Sequence, residues 1–185
     1  LGGFYLDILK DRLYTARLDS DARRSSQVAL SNILQALLRW VSPILSFTAE
    51  EAWQSLGSDT KSVHLLEWFQ DWTEVGELRF SDEEWEKILE IRSEVNKHIE
   101  EARNNEIIGS SLEAALELYC DKDIKALLDN FSEELRFIFI TSEAKVYQLG
   151  QNGNDTNIQG LKINVQKTGY EKCVRCWHSR PEVGT

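Results

Sequence analysis

The chain has 185 residues, of which 42% are hydrophobic and 28% charged, and its formal net charge is -10. This balance is typical of a folded domain, and the acidic charge argues against broad, non-specific binding to nucleic acids. No apolar stretch approaches the roughly 20 residues of a membrane span, no segment has the pattern of a signal peptide, and three cysteines are too few for a disulfide scaffold. We therefore expect a cytoplasmic protein that does not bind membranes.

Hydrophobic periodicity predicts helices near the N-terminus. Apolar residues at roughly helical spacing predict a first helix over residues 4–14. A clearer second helix follows, with Asp21 as its predicted N-cap and Ser42-Pro43 as its stop, because the residue before a proline avoids helical angles. Residues 48–51 read as a capping box that opens a short third helix, which Gly57 is placed to end.

The middle of the chain contains a loop and the longest predicted helix. Residues 57–80 look irregular, and residues 62–68 within them predict an extended segment. A second capping box at residues 81–84 marks the start of the long helix. Its carboxylates are expected to form a solvated face, and its buried face is expected to consist of Trp85, Ile88, Leu89, Val95, Ile99 and Ala102.

Beyond residue 105 the pattern changes from helical to mixed. Short apolar or alternating runs predict strands at residues 112–118, 137–140, 145–147 and 161–165. A helix over residues 123–131 and a loop over residues 150–155 connect them. The predicted fold is thus mostly α: a helical-bundle domain over 1–105, a small mixed α/β subdomain over 106–168, and a partial zinc-ribbon tail over 169–185.

The most specific local motif is the pair Cys173 and Cys176, followed at once by Trp177 and His178. A Cys-x-x-Cys pair supplies half of a tetrahedral zinc site, and a structural site needs four ligands. His178 is the one nearby substitute ligand. The chain also lacks methionine altogether. Together these features predict a fragment of a longer protein, ending inside its last module.

Six sequence phrases, in this order, resemble the C-terminal part of the bacterial isoleucyl-tRNA synthetases, which are class I aminoacyl-tRNA synthetases. The Cys-x-x-Cys-Trp-His phrase favours this family over the related valine and leucine enzymes. The phrases are residues 3–15 (GFYLDILKDRLYT), 42–53 (SPILSFTAEEAW), 62–68 (SVHLLEW), 91–97 (IRSEVNK), 108–114 (IGSSLEA) and 173–178 (CVRCWH).

The resemblance implies an anticodon-binding region that recognises the anticodon stem-loop of isoleucine tRNA and positions the tRNA for aminoacylation. The family's two nucleotide-binding signatures, His-Ile-Gly-His and Lys-Met-Ser-Lys-Ser, have no counterpart in the chain, and neither has its editing domain. We therefore expect the fragment to be inactive alone, with ATP and Mg²⁺ serving the absent catalytic domain. The family also implies a monomer.

The resemblance further implies zinc in the full protein, held by Cys173, Cys176 and a second cysteine pair. This chain lacks that second pair, so His178 is the possible substitute in the fragment. The third cysteine, Cys120, is predicted to be a buried structural thiol.

Arginines near the N-terminus are the best candidates for phosphate contacts, because guanidinium groups match phosphate oxygens bidentately. Lys97 on the long helix is a weaker candidate. The alternative is that the arginines are solvated charges paired with the nearby carboxylates of Asp7, Asp11, Asp19 and Asp21. The arginine candidates are Arg12, Arg17, Arg23 and Arg24.

Aromatic residues divide into one RNA candidate and a larger structural group. Trp177, beside Arg175 and Arg180, is suited to stacking on an unpaired base, and we assign Arg175 and Trp177 to RNA binding. Trp40, Trp53 and Trp85 are expected in the core. Trp68, Phe69 and Trp72 are expected to be packed loop aromatics, and His64 and His98 structural residues.

Two other functions stay open on the sequence alone. The acidic charge fits a helical protein-interaction module without RNA binding. The cysteine pair fits a zinc-finger tail that binds DNA, although that reading leaves residues 1–169 unexplained. The family resemblance favours tRNA, and not DNA, as the partner.

Overall fold

The computed structural model describes residues 4–57, 61–72 and 80–184. Within these ranges the chain forms six α-helices and four β-strands, and none of these helices is long and apolar enough to cross a membrane. The helices are α1 Tyr5–Tyr14, α2 Asp21–Val41, α3 Ser46–Ser55, α4 Asp82–Asn104, α5 Lys122–Asp129 and α6 Leu135–Phe139. The strands are β1 Ala114–Cys120, β2 Glu143–Gln148, β3 Asn154–Asp155 and β4 Leu161–Lys167.

The chain folds as two compact units. One, the helical unit, comprises residues 12–78, and the other, the sheet unit, comprises residues 1–11 and 79–185. This division differs from the predicted boundary at residue 105, because α4 belongs to the sheet unit. Its Ile91 and Val95 are completely buried in the same core as Leu118 of β1.

The helical unit is held together by a small apolar cluster. Leu38 of α2, Ala49 and Trp53 of α3, and Val63 pack against one another and are buried. The guanidinium of Arg39 lies 5.3 Å from the ring centroid of Trp53 and donates through Nη1 to the Gln35 carbonyl at 2.8 Å. The prediction that Trp53 belongs to the core is confirmed.

The helix ends in this unit differ in detail from the predictions. The N-cap of α2 is Ser20, whose Oγ accepts the N–H of Arg23 at 3.4 Å, and Asp21 is already the first helical residue. Helix α2 ends at Val41, so its predicted stop at Ser42-Pro43 is confirmed, but the expected reason is wrong because Ser42 keeps helical angles, with a φ of -56° and a ψ of -35°. The capping box predicted at residues 48–51 is wrong, because α3 begins at Ser46 and its N-cap Leu45 has no side-chain hydrogen bond.

The predicted irregular segment 57–80 is described only in part, since residues 58–60 and 73–79 lie outside the described residues. Gly57 ends the α3 region with a φ of 65°, as expected. Residues 62–68 are not simply extended, because Val63–Leu65 form a 3₁₀ turn. The Glu50 carboxylate stabilises this turn by accepting bonds from Ser62 Oγ at 2.8 Å and from the Val63 N–H at 3.0 Å.

The sheet unit contains a four-stranded mixed sheet in the order β2-β1-β4-β3. Strand β1 pairs in parallel with β2 and antiparallel with β4, and residues of α4, α5 and α6 share its core. The strand predicted at 137–140 is wrong: this segment belongs to α6, and Ile140 follows with a φ of 56°. The strand predicted at 112–118 begins at Ala114, and the loop predicted at 150–155 contains the short β3.

The long helix α4 begins at the predicted capping box. Ser81 Oγ accepts the Glu84 N–H at 3.2 Å, and the Glu84 carboxylate accepts the Ser81 N–H at 2.8 Å. Ile88, Val95, Ile99 and Ala102 are buried as predicted. Trp85 and Leu89 are wrong predictions, with exposed fractions of 37% and 45%, because the buried stripe instead continues through Ile91 and Glu94.

Candidate nucleic-acid interface

The four candidate arginines of the helical unit lie where α1 ends and α2 begins. Arg12 lies in the last turn of α1, Arg17 in the connection, and Arg23 and Arg24 in the first turn of α2. Arg17 and Arg24 are exposed, and Arg12 and Arg23 are partly buried. We refer to these four residues as the arginine corner.

One of the expected arginine–aspartate pairs is present, between Arg17 and Asp19. Arg17 Nη2 lies 3.2 Å from Asp19 Oδ2, and both side chains are exposed. Asp7 instead pairs with Lys10 at 2.7 Å, and Asp11 Oδ2 lies 2.6 Å from a histidine nitrogen. Because exposed ion pairs contribute only about 0–1 kcal/mol, the Arg17–Asp19 pair leaves Arg17 able to exchange its partner for a phosphate.

The position of Arg23 and Arg24 is unfavourable for the helix that carries them. The N-terminus of a helix has a partial positive charge, so cations in its first turn are mildly destabilising. Arg23 offsets part of this by donating through Nη1 to the Ala16 carbonyl at 3.3 Å. Apart from this bond of Arg23, the helix dipole of α2 therefore disfavours the two arginines.

Lys97 lies in α4, where it takes part in a structural contact. Its Nζ lies 2.5 Å from Glu94 Oε1, and the side chains are 54% and 8% exposed. The Glu94 carboxylate also accepts the backbone N–H of Asn157 at 3.2 Å. These bonds, that of Lys97 first, hold the pKa of Glu94 below its ordinary value against the opposing effect of burial. Sequence reasoning missed Glu94, although its i, i+3 spacing to Lys97 was visible.

The C-terminal residues form a tight knuckle around the cysteine pair. The Cys173 N–H donates to the His178 carbonyl at 2.8 Å, and the Trp177 N–H donates to the Cys173 carbonyl at 2.9 Å. Trp177 has a φ of 66° and is 62% exposed. A bulky residue at positive φ is strained, so the knuckle presents the indole to solvent at a cost in backbone energy.

The family model described as the anticodon-binding domain of tRNA ligase matches residues 1–119. The chain belongs to this family. Curated relatives align with the whole anticodon-binding chain: isoleucine–tRNA ligases of Acinetobacter baylyi at 44% identity, Marinomonas sp. at 47% and Shewanella sp. (strain MR-4) at 49%. The chain spans about 20% of the length of each of these relatives.

The RNA candidates of the anticodon-binding chain are distributed over both units. The arginine corner belongs to the helical unit, and Lys97, Arg175 and Trp177 belong to the sheet unit. Arg175 is exposed within the knuckle, beside Trp177. Lys172 Nζ lies 5.5 Å from the Trp177 ring centroid, which places a cation on the same aromatic surface.

The cysteines of the anticodon-binding chain differ in their surroundings. Backbone N–H groups of Cys176 and Arg175 lower the pKa of Cys173, and burial raises that of Cys176. His178 is buried, and its Nε2 contacts Asp11 Oδ2 at 2.6 Å. No group of three or more potential ligands comes together within residues 4–57, 61–72 and 80–184. These residues therefore do not complete a four-ligand zinc site.

The predicted partial zinc-ribbon tail stays a prediction. Around the knuckle, Lys172 and Ser179 form an isolated antiparallel bridge. The third thiol behaves as expected: Cys120 is completely buried, and desolvation raises its pKa to about 12.

Several aromatic residues of the helical unit are more exposed than predicted. Trp40 was expected in the core and is 45% exposed, and Trp68 was expected to be packed and is 65% exposed. Phe69 and Trp72 do contact each other edge to face, with centroids 5.0 Å apart. Ser62 Oγ, the N-cap of the 3₁₀ turn, accepts the backbone N–H of His64 at 3.2 Å, and His98 Nδ1 contacts the Glu94 carbonyl oxygen at 2.9 Å.

Proposed function

We propose that this anticodon-binding domain recognises the anticodon stem-loop of isoleucine tRNA and positions the tRNA for aminoacylation elsewhere in a longer protein. The observation that carries the proposal is the arginine corner, four arginines that lie between the last turn of α1 and the first turn of α2 in a chain of net charge -10. Phosphate contacts dominate the affinity of nucleic-acid complexes. A local basic site therefore suffices on an acidic protein.

In this proposal the helical unit contacts the tRNA backbone, and the sheet unit contacts an unpaired base and the phosphate beside it. The arginine corner contacts phosphates of the anticodon stem. Trp177 stacks on an unpaired base of the loop, and Arg175 contacts the adjacent phosphate. Lys97 contributes to RNA binding only if a phosphate displaces the Glu94 carboxylate from the Lys97 ammonium group. The strained, exposed conformation of Trp177 supports its part in this mechanism.

In this proposal, other parts of the longer protein catalyse the attachment of isoleucine to the tRNA. The relatives are named isoleucine–tRNA ligases, and ATP-dependent activation with Mg²⁺ requires signatures that the chain lacks. Cys173 and Cys176 would supply two of the zinc ligands in that protein. We further propose that the protein is a cytoplasmic monomer. The binding mechanism proposed for this chain uses neither zinc nor ATP.

A salt titration tests the arginine corner directly. Arg17→Gln and Arg24→Gln together should weaken binding to isoleucine tRNA and reduce the slope of log affinity against log salt by about 1.4–1.8, because each lost phosphate contact removes about 0.7–0.9. Fluorescence anisotropy with labelled tRNA measures both. The matched control is Lys87→Gln with Arg103→Gln, which removes two exposed cations of α4 at the same change in net charge.

Comparison of ligands separates this proposal from its rivals. The same tRNA with a changed anticodon tests whether the chain reads the anticodon or binds the stem alone. Preference for duplex DNA would favour the zinc-finger alternative. An unchanged slope in the arginine variant, or no binding of any RNA, would refute the tRNA proposal and favour the acidic protein-interaction module.

A further inference from the structure

The sheet unit contains a cavity of about 420 Å³ at the edge of its sheet. It lies beside β2, which is an outer strand, and it is also lined by residues of α5 and α6 and by Tyr170, Ser179, Arg180 and Pro181. Its volume is within the range of pockets that hold small organic ligands, about 300–1,000 Å³. We call it the β2-edge cavity, and the residues used below are Arg136, Ala144, Lys145, Val146, Tyr170 and Arg180.

Cations outnumber carboxylates among the cavity's lining residues. Arg136, Lys145 and Arg180 line it, against the carboxylates of Asp129 and Glu143. Asp129 is paired with a lysine of α5 at 2.7 Å, and Glu143 is paired with Lys145 at 2.5 Å. Lys145 is neutralised in its pair with Glu143, and the lining residues together carry a formal excess of one positive charge, which favours an anionic ligand.

The guanidinium groups of Arg180 and Arg136 both interact with the carboxylate of Glu182. Arg180 donates through Nε and Nη2 to the two oxygens of Glu182, at 3.1 and 3.2 Å. The pKa of Glu182 is lowered first by these bonds, and the charge of Arg136 contributes as well. The Arg136 guanidinium is itself held 3.9 Å from the Phe137 ring centroid. The fork of Arg180 thus already binds a planar anion in the bidentate geometry that also suits phosphate.

We propose that the β2-edge cavity binds a nucleotide. Its phosphate contacts Arg136 and Arg180, and on Arg180 it replaces the carboxylate of Glu182. The half-exposed ring of Tyr170 and the apolar side chains of Ala144 and Val146 provide the surface for the base. Resting on the proposed function, the nucleotide is an unpaired one of the bound RNA. A free mononucleotide offers the same chemistry, and the experiment distinguishes the two.

The test is a set of titrations of the 185-residue chain followed by amide and arginine Nε–H resonances. The ligands are the four nucleoside monophosphates, inorganic phosphate and isoleucine tRNA. We expect resonances of Arg180 and Tyr170 to shift with the nucleotides and with tRNA, and less with inorganic phosphate. Arg180→Gln should weaken nucleotide binding about tenfold, because a charge-assisted bidentate contact is lost.

The substitution of Glu182 gives an effect of opposite sign. Glu182→Gln should tighten nucleotide binding about two- to fivefold, because a competing exposed ion pair is removed. The matched control is Arg103→Gln, which breaks an exposed arginine–glutamate pair of 2.7 Å outside this cavity and should change nothing. If Arg180 and Glu182 had only a structural role, the two substitutions would change the nucleotide affinity in the same direction.

The outcomes separate this site from the arginine corner. The cavity proposal is overturned if no ligand shifts the cavity resonances, if both variants behave as Arg103→Gln does, or if inorganic phosphate binds as well as the nucleotides. Binding of tRNA without cavity shifts would overturn it while leaving the proposed function intact. Binding of nucleotides without tRNA would keep the cavity as a site for free nucleotides and refute the proposed function.

Discussion

His178 Nε2 lies 2.6 Å from Asp11 Oδ2, a contact between residues 167 positions apart in the chain. The imidazole is almost completely buried, and its neighbour Ser179 donates its N–H to Ser142 Oγ at 2.7 Å. The C-terminal knuckle is therefore anchored to α1 on one side and to the start of β2 on the other. Both contacts lie within the sheet unit, to which the cysteine-bearing segment belongs.

Removal of the Asp11 carboxylate should destabilise the sheet unit. Asp11→Ala is expected to lower the free energy of unfolding by about 1–3 kcal/mol, because it leaves the buried His178 Nε2 without this partner. Urea denaturation measures the change. Asp7→Ala is the control, since Asp7 lies on the same helix in an exposed pair with Lys10, and it should cost less than about 1 kcal/mol. Equal losses in the two variants would contradict the structural role of the Asp11–His178 contact.

The buried carboxylate of Glu94 should make the free energy of unfolding depend on pH in the acidic range. Its folded-state pKa lies below the ordinary value of 4.5, so its contribution is present above that pH and is lost as the pH falls through the folded pKa. Glu94→Gln should cost about 1–3 kcal/mol near neutral pH, and the difference from the unchanged protein should shrink below about pH 4.5.

Urea unfolding at several pH values tests this behaviour of Glu94. Glu90→Gln is the matched control, because Glu90 is an exposed partner of Lys87 on the same helix. A stability loss in Glu94→Gln that is the same at pH 7 and pH 3 would show that the charge of Glu94 is not responsible.

Ser20, and not Asp21, should be the important cap of α2. Ser20→Ala is expected to destabilise the helical unit by about 1 kcal/mol, because the N–H of Arg23 loses its acceptor. Asp21→Ala should cost about 0.5 kcal/mol, since it removes only a favourable interaction with the helix dipole. Thermal unfolding followed by circular dichroism compares the two. A larger effect at Asp21 would restore the cap predicted from sequence.

The three cysteines should react with alkylating reagents in a definite order. Cys173 has a lowered pKa because backbone N–H groups donate to its sulfur, so more of it is thiolate at neutral pH. Cys120 is buried with a pKa of about 12 and should stay unmodified in the folded protein. Mass spectrometry after a short iodoacetamide pulse at about pH 7.5 locates the first adduct. Early modification of Cys120 would show that its environment opens in solution.

Local signals in the sequence were the most accurate predictors of the fold. The capping box of Ser81 and Glu84 was predicted because its hydrogen bonds join residues three apart. The apolar run at 137–140 was assigned to a strand wrongly, since four apolar residues have no distinguishable period. Trp40 and Trp85 were placed in the core wrongly, because hydrophobicity alone does not show which side of a helix meets a partner.

The candidate site was predictable where its residues are close in sequence. The arginine corner and the knuckle each come from one short segment, so their residues could be grouped from the sequence, and their roles in RNA binding stay predictions. The Glu94–Lys97–Asn157 contact and the β2-edge cavity were not found, since they join residues from distant segments. The contact of His178 with Asp11 was not predictable either, because the two residues are 167 positions apart and Asp11 lies in the sequence beside the N-terminal arginines.

The sequence by itself determined the helical periodicity, the helix stops and the ordered phrases that mark the anticodon-binding family, because these depend on residues a few positions apart. Tertiary structure alone decided that α4 packs with the sheet, that His178 contacts Asp11, and that Arg136 and Arg180 line one cavity. These contacts depend on which surfaces become buried together, and burial is a property of the whole fold.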